Sequence, residues 1–310
     1  MSDDKKKTSF VCTVDKQQLS LLREYVETHG FELKDQQYAH FKAVGDKVNI
    51  VAYCSGKLTV QGGNAQEFVE FVLEPEILHD YRFSIPEELD GDEIELDLAP
   101  HIGVDESGKG DFFGPLIIAG VYIDEASGEA LAKSRVRDSK LIKSDREIIS
   151  IADEIRQTVQ GRFAIVTLRN NVYNDLYRRI GNLNKLLAWG HARVIENVLE
   201  KVPDCPRALS DKFGAEYLIR NALMEKGRKI ILEQRTKGES DIAVAAASIL
   251  AREQFIREMK KLSEEFQMDI PRGASDIVKQ RANALIDKFG VDALERCCKT
   301  HFKTYNELMK

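Results

Sequence analysis

Residues 103 to 110 read GVDESGKG, nearly the spelling of a phosphate-binding loop. In G-x-x-x-x-G-K-[ST], backbone N–H groups and the lysine surround an anion, and the final hydroxyl holds magnesium. Here Gly110 stands at the hydroxyl position, and Asp105 and Glu106 place two negative charges inside the cradle. The stretch also runs into DFFGPLIIAG, a turn and a strand, where a phosphate loop would open a helix. The pattern speaks against a nucleoside triphosphate site. It puts a carboxylate at the end of the apolar strand HIGVDES, the kind of place where mixed α/β sheets build active sites. Such a carboxylate either caps a turn or meets a cation, because alone it is costly to desolvate.

Two other segments carry the same signal. Asp211 in LSDKFG ends an apolar strand just before a helix. Asp241 in GESDIAVAAASI starts a helix whose small residues, Ala243 and Ala245 to Ala247, permit close packing on a sheet. Each alone has a simpler reading, Asp211 as a turn residue and Asp241 as a helix cap. Taken together, with no HExxH, nucleophile elbow or CxxC in the chain, they form the donor set of a hard divalent cation. Oxygen-only ligands suit magnesium or manganese rather than zinc. A pair of such ions hydrolyses phosphodiesters, one activating water and the other stabilising the leaving oxygen. The glycines of SGKG let the main chain approach a sugar, whose 2′-hydroxyl can both donate to it and accept from it.

The elements that must position these residues fall into two groups. The chain has 310 residues, 43% of them hydrophobic, which suggests two domains. Residues 74 to 100, EPEILHDYRFSIPEELDGDEIELDLAP, are acidic and hold three prolines, and only EIELDL alternates like a short strand. We expect a first domain over 1–80, a linker over 81–98 and a second domain over 99–310. In the first, TSFVCTV reads as a strand and DKQQLSLLREYVETHG as an amphipathic helix. The strands YAHFKAV, KVNIVAYCSG and KLTVQG follow, and NAQEFVEFVL reads as a helix capped by Asn64. The expectation is a small α+β module with a curved antiparallel sheet, its turns carrying Lys42, Lys47 and Lys57.

Beyond the linker, HIGVDES, PLIIAGVYI, RFAIVTLR, RALSDKF and KIILEQR read as strands. SDREIISIADEIRQTV is a helix opened by a Ser144 and Glu147 capping box. A long helical stretch runs from about Val172 through GNLNKLLAWGHARVIENVLEK, further helices cover AEYLIRNALMEK and DIAVAAASILAREQFIREMKKL, and two more close the chain. Strands first, then alternating with helices, imply an α/β fold with a mixed sheet flanked by helices.

The formal net charge is -6, so the overall field does not attract polyanions. Nucleic acid must be held by local basic patches or by metal ions that neutralise carboxylates. The five cysteines are scattered apart from the adjacent Cys297 and Cys298, a poor geometry for a mutual disulfide. They read as buried thiols of a cytoplasmic protein. No apolar run approaches a membrane span, and MSDDKKKTSF lacks the apolar core of a signal peptide.

The segments GVDESGKGDFFGPL, DSKLI, NLNKLLAWGHA, SDKF, AVAAASILAR and HFKT, in this order from about residue 100 onward, resemble ribonuclease HIII of the type 2 ribonuclease H group. Residues 10–75, above all YCSGKLTVQG, resemble that family's N-terminal module, which is similar in fold to TATA-binding protein. The resemblance implies a ribonuclease H-like fold. It also implies endonucleolytic cleavage of the RNA strand of RNA–DNA hybrids, leaving 5′-phosphate and 3′-hydroxyl ends, with magnesium or manganese. Asp105 and Glu106 match the family's adjacent acidic pair and Asp211 its third carboxylate. Asp241 fits the fourth by spacing, with Glu239 two residues away as the alternative. Ser107, Gly108, Lys109 and Gly110 match the loop that reads the ribonucleotide, and the lysine there favours the HIII branch over HII.

Beyond these, Lys140 and the pair Asn182 and Asn184 are candidate phosphate contacts. Lys42 and Lys57, with Tyr38, Phe41 and Tyr53, are expected on a sheet face against the minor groove of the hybrid. Trp189, His191 and His301 read as core or hydrogen-bonded residues. The competing reading is a hybrid-binding protein without catalysis, against which the full acidic set argues, since clustered like charges without metal only destabilise.

Overall fold

The structure is a computed structural model of the chain and describes residues 8–78, 97–137, 139–142, 144–214, 216–236 and 238–309. The chain divides into two compact units, Met1–Ile85 and Pro86–Lys310. The linker expected over 81–98, with the strand expected in EIELDL, lies outside the described residues except for 97 and 98, which are not in a strand.

In the first unit, β1 (Ser9–Thr13) leads into α1 (Lys16–Thr28), then β2 (Glu32–Lys34), β3 (Ala39–Gly45), β4 (Val48–Tyr53), β5 (Lys57–Gly62) and α2 (Ala65–Phe68). A wide-turned helical segment, Val69–Leu78, continues α2. α1 starts at a reciprocal cap: Gln18 N–H donates to Asp15 Oδ1 at 2.9 Å, and Asp15 N–H to Gln18 Oε1 at 3.0 Å. The strands form one antiparallel sheet in the order β1-β5-β4-β3-β2. Alternation turns Phe10, Cys12, Phe41, Ala43, Ile50, Leu58 and Val60 inward, onto Leu22 and Val26 of α1.

The opposite face carries Lys34, Lys42, Val51, Thr59 and Val11 directly across the five strands. Next to that row stand Glu32, Val44, Asn49, Gln61 and Ser9. Phe41 is therefore not on the open face as expected; the pleat puts it in the core, 5% exposed. Tyr38, in contrast, is 77% exposed. Asn64 precedes α2 without capping it through its side chain, which instead reaches Asp46.

The second unit begins with β6 (His101–Ser107), β7 (Leu116–Ile123), α3 (Glu125–Ala132), α4 (Asp145–Val159) and β8 (Phe163–Leu168). Next come α5 (Asn170–Ile180), α6 (Leu183–Leu199), β9 (Arg207–Asp211), α7 (Glu216–Ala222), β10 (Ile231–Arg235) and α8 (Ile242–Phe266). α9 (Asp276–Phe289), α10 (Val291–Cys297) and α11 (Lys303–Leu308) close the chain. The sheet has the order β10-β9-β6-β7-β8, with β10, β9 and β6 parallel and β7 antiparallel to both neighbours. This is the mixed sheet with flanking helices that the pattern predicts.

Three details differ. α3 was not anticipated. The long helix is two, because Gly181 adopts a left-handed φ of 68° and Asn182 restarts the chain as the cap of α6. Three helices, not two, follow α8. Among the described residues, no helix is long and apolar enough to cross a membrane.

α8 lies on one face of the sheet and α6 on the other, both in close approach. A Cβ at Gly103 would fall 2.2 Å from the Ala243 carbonyl carbon, and one at Gly120 would fall 2.4 Å from Val194. The alanines at the start of α8 and the glycine of β6 are thus a matched pair of small surfaces, which brings the beginning of α8 hard against the central strand.

Candidate active site

The parallel register of β6 with β9 sets Gly103 against Leu209 and Val104 against Ser210, so Asp105 and Asp211 come next in line at the strand ends. Successive residues of a strand alternate in face. Asp105 shares the face of Gly103 and α8, while Glu106 shares the face of Val104 and α6. On the α6 side, His191 is fully buried and its Nε2–H donates to Glu106 Oε2 at 3.0 Å, while Nδ1 lies 3.0 Å from the Ser210 hydroxyl. Asp211 is oriented from behind: the Gly238 N–H donates to its Oδ1 at 2.9 Å. Gly238 opens the short 3-10 turn Gly238–Ser240, which carries Glu239. Lys140, on the turn Ser139–Leu141, brings Nζ to 3.4 Å from Glu239 Oε1, and Lys109 Nζ lies 3.7 Å from Glu106 Oε1.

The electrostatics follow from this crowding. Burial and the charges of Glu106 and Asp211 push the Asp105 carboxyl well above its ordinary range. Burial and the charge of Glu239 push Asp211 up to about 7. Burial acts upward on Glu106 too, but its bond from His191 and the charge of Lys109 bring it down to about 2. The site holds more negative charge than its own lysines balance, and its donors are all carboxylate oxygens. That donor set fits a hard divalent cation.

A carboxyl with a raised value is protonated below it, so a cation must displace protons from Asp105 and Asp211. Manganese affinity should therefore rise with pH, by up to about tenfold per unit for each of the two carboxyls still protonated, the Asp211 contribution levelling off above about 7. Calorimetry in buffers of different ionisation enthalpy checks this: a pH-independent affinity with no proton release would contradict it.

Asp241 goes elsewhere. It caps α8, its Oδ1 accepting from Ala243 N–H at 2.9 Å and Val244 N–H at 3.0 Å. Both its oxygens also lie 3.1 Å from Nε2 of His101, at the opposite end of β6 from Asp105. Asp97 completes a group of three whose ligand atoms lie within 4.8 Å of one another. Arg207 stands among them, its Nη2 2.5 Å from Asp97 Oδ2 and 3.4 Å from His101 Nδ1, so the group is already neutralised by protein cations. The structure thus brings together Asp105, Glu106 and Asp211, adds Glu239 to them, and leaves Asp241 with His101.

The loop of residues 107–110 leaves β6 beside this cluster. Gly108 takes φ 90°, and a Cβ there would fall 2.3 Å from the Pro115 carbonyl oxygen, so only glycine fits. The turn that follows is clamped from the far end of the chain. The ammonium of Lys299, fully buried, donates to the carbonyls of Asp111 and Gly114, each at 2.7 Å. Its backbone N–H bonds Phe112 O, and Gly114 N–H bonds Cys297 O. Burial pulls the Lys299 amine down to about 8.

Asn182 proves to be the cap of α6 and Asn184 is buried, while His301 stacks on Tyr177 with centroids 4.4 Å apart. Trp189 is half-buried, with Arg193 over its ring. Lys42 and Lys57 belong to the other unit, Lys42 on its open face and Lys57 exposed at the start of β5.

A mixed sheet whose central strands end in a carboxylate cluster of this kind defines a metal-dependent nuclease with the ribonuclease H-like fold. The family profile described as Ribonuclease HII matches residues 102–305, and a second, described as a domain of unknown function (DUF3378), matches residues 9–81. Ribonuclease HIII of Chlamydia caviae is 44% identical over 303 residues, 97% of this chain and 97% of that protein. That of Protochlamydia amoebophila is 40% identical over 97% of this chain and 96% of its own. Among solved structures, Bst-RNase HIII in complex with Mn2+ is 29% identical, with a TM-score of 0.64 over 97% of this chain and 98% of its own. Aquifex aeolicus RNase H3 is 25% identical, with a TM-score of 0.52 over 95% and 100%. The chain belongs to the ribonuclease HIII family, and it is a metal-dependent ribonuclease.

Proposed function

We propose that the protein is an endonuclease that hydrolyses the RNA strand of RNA–DNA hybrids in the cytoplasm, leaving 5′-phosphate and 3′-hydroxyl ends. Asp105, Glu106, Asp211 and Glu239 would hold two magnesium or manganese ions. The observation that carries this reading is the convergence of Asp105, Glu106, Asp211 and Glu239 from three distant segments, with Asp105 driven up by burial and by Glu106 and Asp211, and Asp211 by burial and by Glu239 and Glu106. Glu239 takes the fourth place that spacing gave to Asp241, because both oxygens of Asp241 are spent on His101 and the α8 amides. Metal ions held there would supply activation of the attacking water and neutralisation of charge on the scissile phosphate and leaving oxygen. His191 holds Glu106 in one orientation, and the Gly238 amide does the same for Asp211. Main-chain groups of residues 107–110 read the ribose 2′-hydroxyl, and Lys109 and Lys140 face the backbone phosphates.

The N-terminal unit grips the hybrid through its open sheet face, with Lys42 as a phosphate contact there and Lys57 as another at the start of β5. Incubating a labelled hybrid with magnesium, and in parallel with chelator, tests the reading. Cleavage only with metal, yielding ends that ligase accepts as 5′-phosphate and 3′-hydroxyl, is expected. Binding without cleavage under every metal condition would instead favour the non-catalytic hybrid binder. Replacing Lys140 by Ala should raise KM several-fold, on the order of 1 kcal/mol, and lower the salt dependence of binding by about one phosphate contact, with little change in kcat. An unchanged KM and salt slope would remove Lys140 from the substrate surface.

A further inference from the structure

The two acids of GESD stand two residues apart and do different work. Glu239 lies with Asp211 and Lys140, whereas Asp241 points to the start of β6. There His101 and Asp241 are buried against each other, 0% and 1% exposed. Both ring nitrogens of His101 face oxygen: Nδ1 lies 2.6 Å from the Ala99 carbonyl and Nε2 lies 3.1 Å from each oxygen of Asp241. The ring is thus held from both sides, with Nδ1 against the Ala99 carbonyl and Nε2 against the Asp241 carboxyl group, and Arg207 Nη2 lies 3.4 Å from Nδ1. Arg207 and Asp97 lie alongside as a second pair, with Glu233 3.6 Å from Arg207.

We infer that His101 and Asp241 are positioning residues for the carboxylate set, fixing the turn Gly238–Ser240 and, through it, Glu239 and the amide that orients Asp211. The inference rests on the reading of Glu239 as the fourth carboxylate. Each link is a hydrogen bond. His101 holds the Asp241 carboxylate, and the Asp241 N–H closes the turn on Gly238 O at 2.9 Å. The Gly238 N–H then holds Asp211. The turn has no room to slide, since a Cβ on Gly238 would lie 2.9 Å from Asp211 Cα. β6 carries His101 at one end and Asp105 and Glu106 at the other, so the pair ties the turn to the strand that supplies the first two carboxylates. Removing a group that orients a metal ligand from behind typically costs about 10–100-fold in metal affinity.

The test is a calorimetric titration of the full chain with Mn2+ alone, on protein whose folded state is verified by circular dichroism. Glu239→Gln, Asp241→Asn and His101→Ala are each expected to weaken Mn2+ by about tenfold or more. Asp241→Asn keeps an oxygen for the α8 amides while removing the carboxylate that faces His101. The Asp241→Asn, His101→Ala double variant should be no weaker than either single one. His101→Gln, which keeps a donor toward Asp241, should recover part of the loss, and it carries the test if His101→Ala does not fold. Loss in Asp241→Asn with wild-type affinity in both His101 variants overturns the inference, because Asp241 is then itself a ligand. Lower melting temperatures with unchanged affinity in Asp241→Asn and both His101 variants, while Glu239→Gln weakens Mn2+, also overturn it, leaving the pair as support for the fold alone. Wild-type affinity in Glu239→Gln brings down the reading of the acidic set as well, which separates the two failures.

Discussion

Replacing Asp105 by Asn should cut the cleavage rate of a hybrid by about 10³-fold or more, because a ligand lost from the cation site removes several kcal/mol of transition-state stabilisation. The same substitution should raise the melting temperature in chelator. Asp105 has its folded-state value raised by burial and by Glu106 and Asp211. For an acid with a raised folded value, stability falls as pH climbs from the unfolded value toward the folded one. The unfolded chain ionises there while the folded one keeps its proton, and above the folded value the folded chain must hold an unwelcome charge. A neutral amide has no charge to hold, so the variant should melt higher than the wild-type chain at pH about 8. Calorimetric melting with and without Mn2+ checks the sign. A variant that cuts normally would remove Asp105 from the chemistry, and one that melts lower in chelator would show the carboxylate to be a structural group.

The second large effect is expected from removing the N-terminal unit. A chain starting after residue 85 should bind a long hybrid at least about 10²-fold more weakly, because two linked binding surfaces lend each other a high effective concentration. Turnover at saturating hybrid should change by no more than about threefold, since the carboxylates all stand in the second unit. Equal loss in affinity and turnover would mean that the unit supports the catalytic fold and does not grip the substrate. A narrower variant, Lys42→Glu with Lys57→Glu, should follow the same direction with a smaller magnitude and a weaker dependence on salt.

Much of this site was legible in the sequence because it is carried by punctuation at the ends of strands. Asp105 and Asp211 each end a run of apolar residues, and parallel pairing of β6 and β9 is enough to bring them side by side. The fourth acid was harder. Spacing along the chain favours Asp241, but a helix cap and a metal ligand look alike in sequence, and the facing His101 that argues for Glu239 in the proposed set is visible only in the fold. His101 itself reads as one more polar residue at a strand entrance. His191 reads as a lone histidine on an apolar helix, and its bond to Glu106 depends on α6 crossing β6, which no local pattern encodes. In the N-terminal unit the strands were visible but their faces were not. Phe41 fell on the inner side because its neighbours His40 and Lys42 take the opposite pleat. The division of the long helix at Gly181 was a matter of one left-handed residue, and a Gly followed by a capping Asn was the available sign.

Lys299 has a consequence in time. Its ammonium and the neighbouring backbone hold the turn over residues 111–114, almost two hundred positions earlier in the chain. A polypeptide growing from its amino terminus carries all four carboxylates of the proposed set once Glu239 has emerged, yet the clamp on the turn after residues 107–110 arrives only later, with Lys299. The turn beside the carboxylates is thus completed by a segment synthesised after all of them.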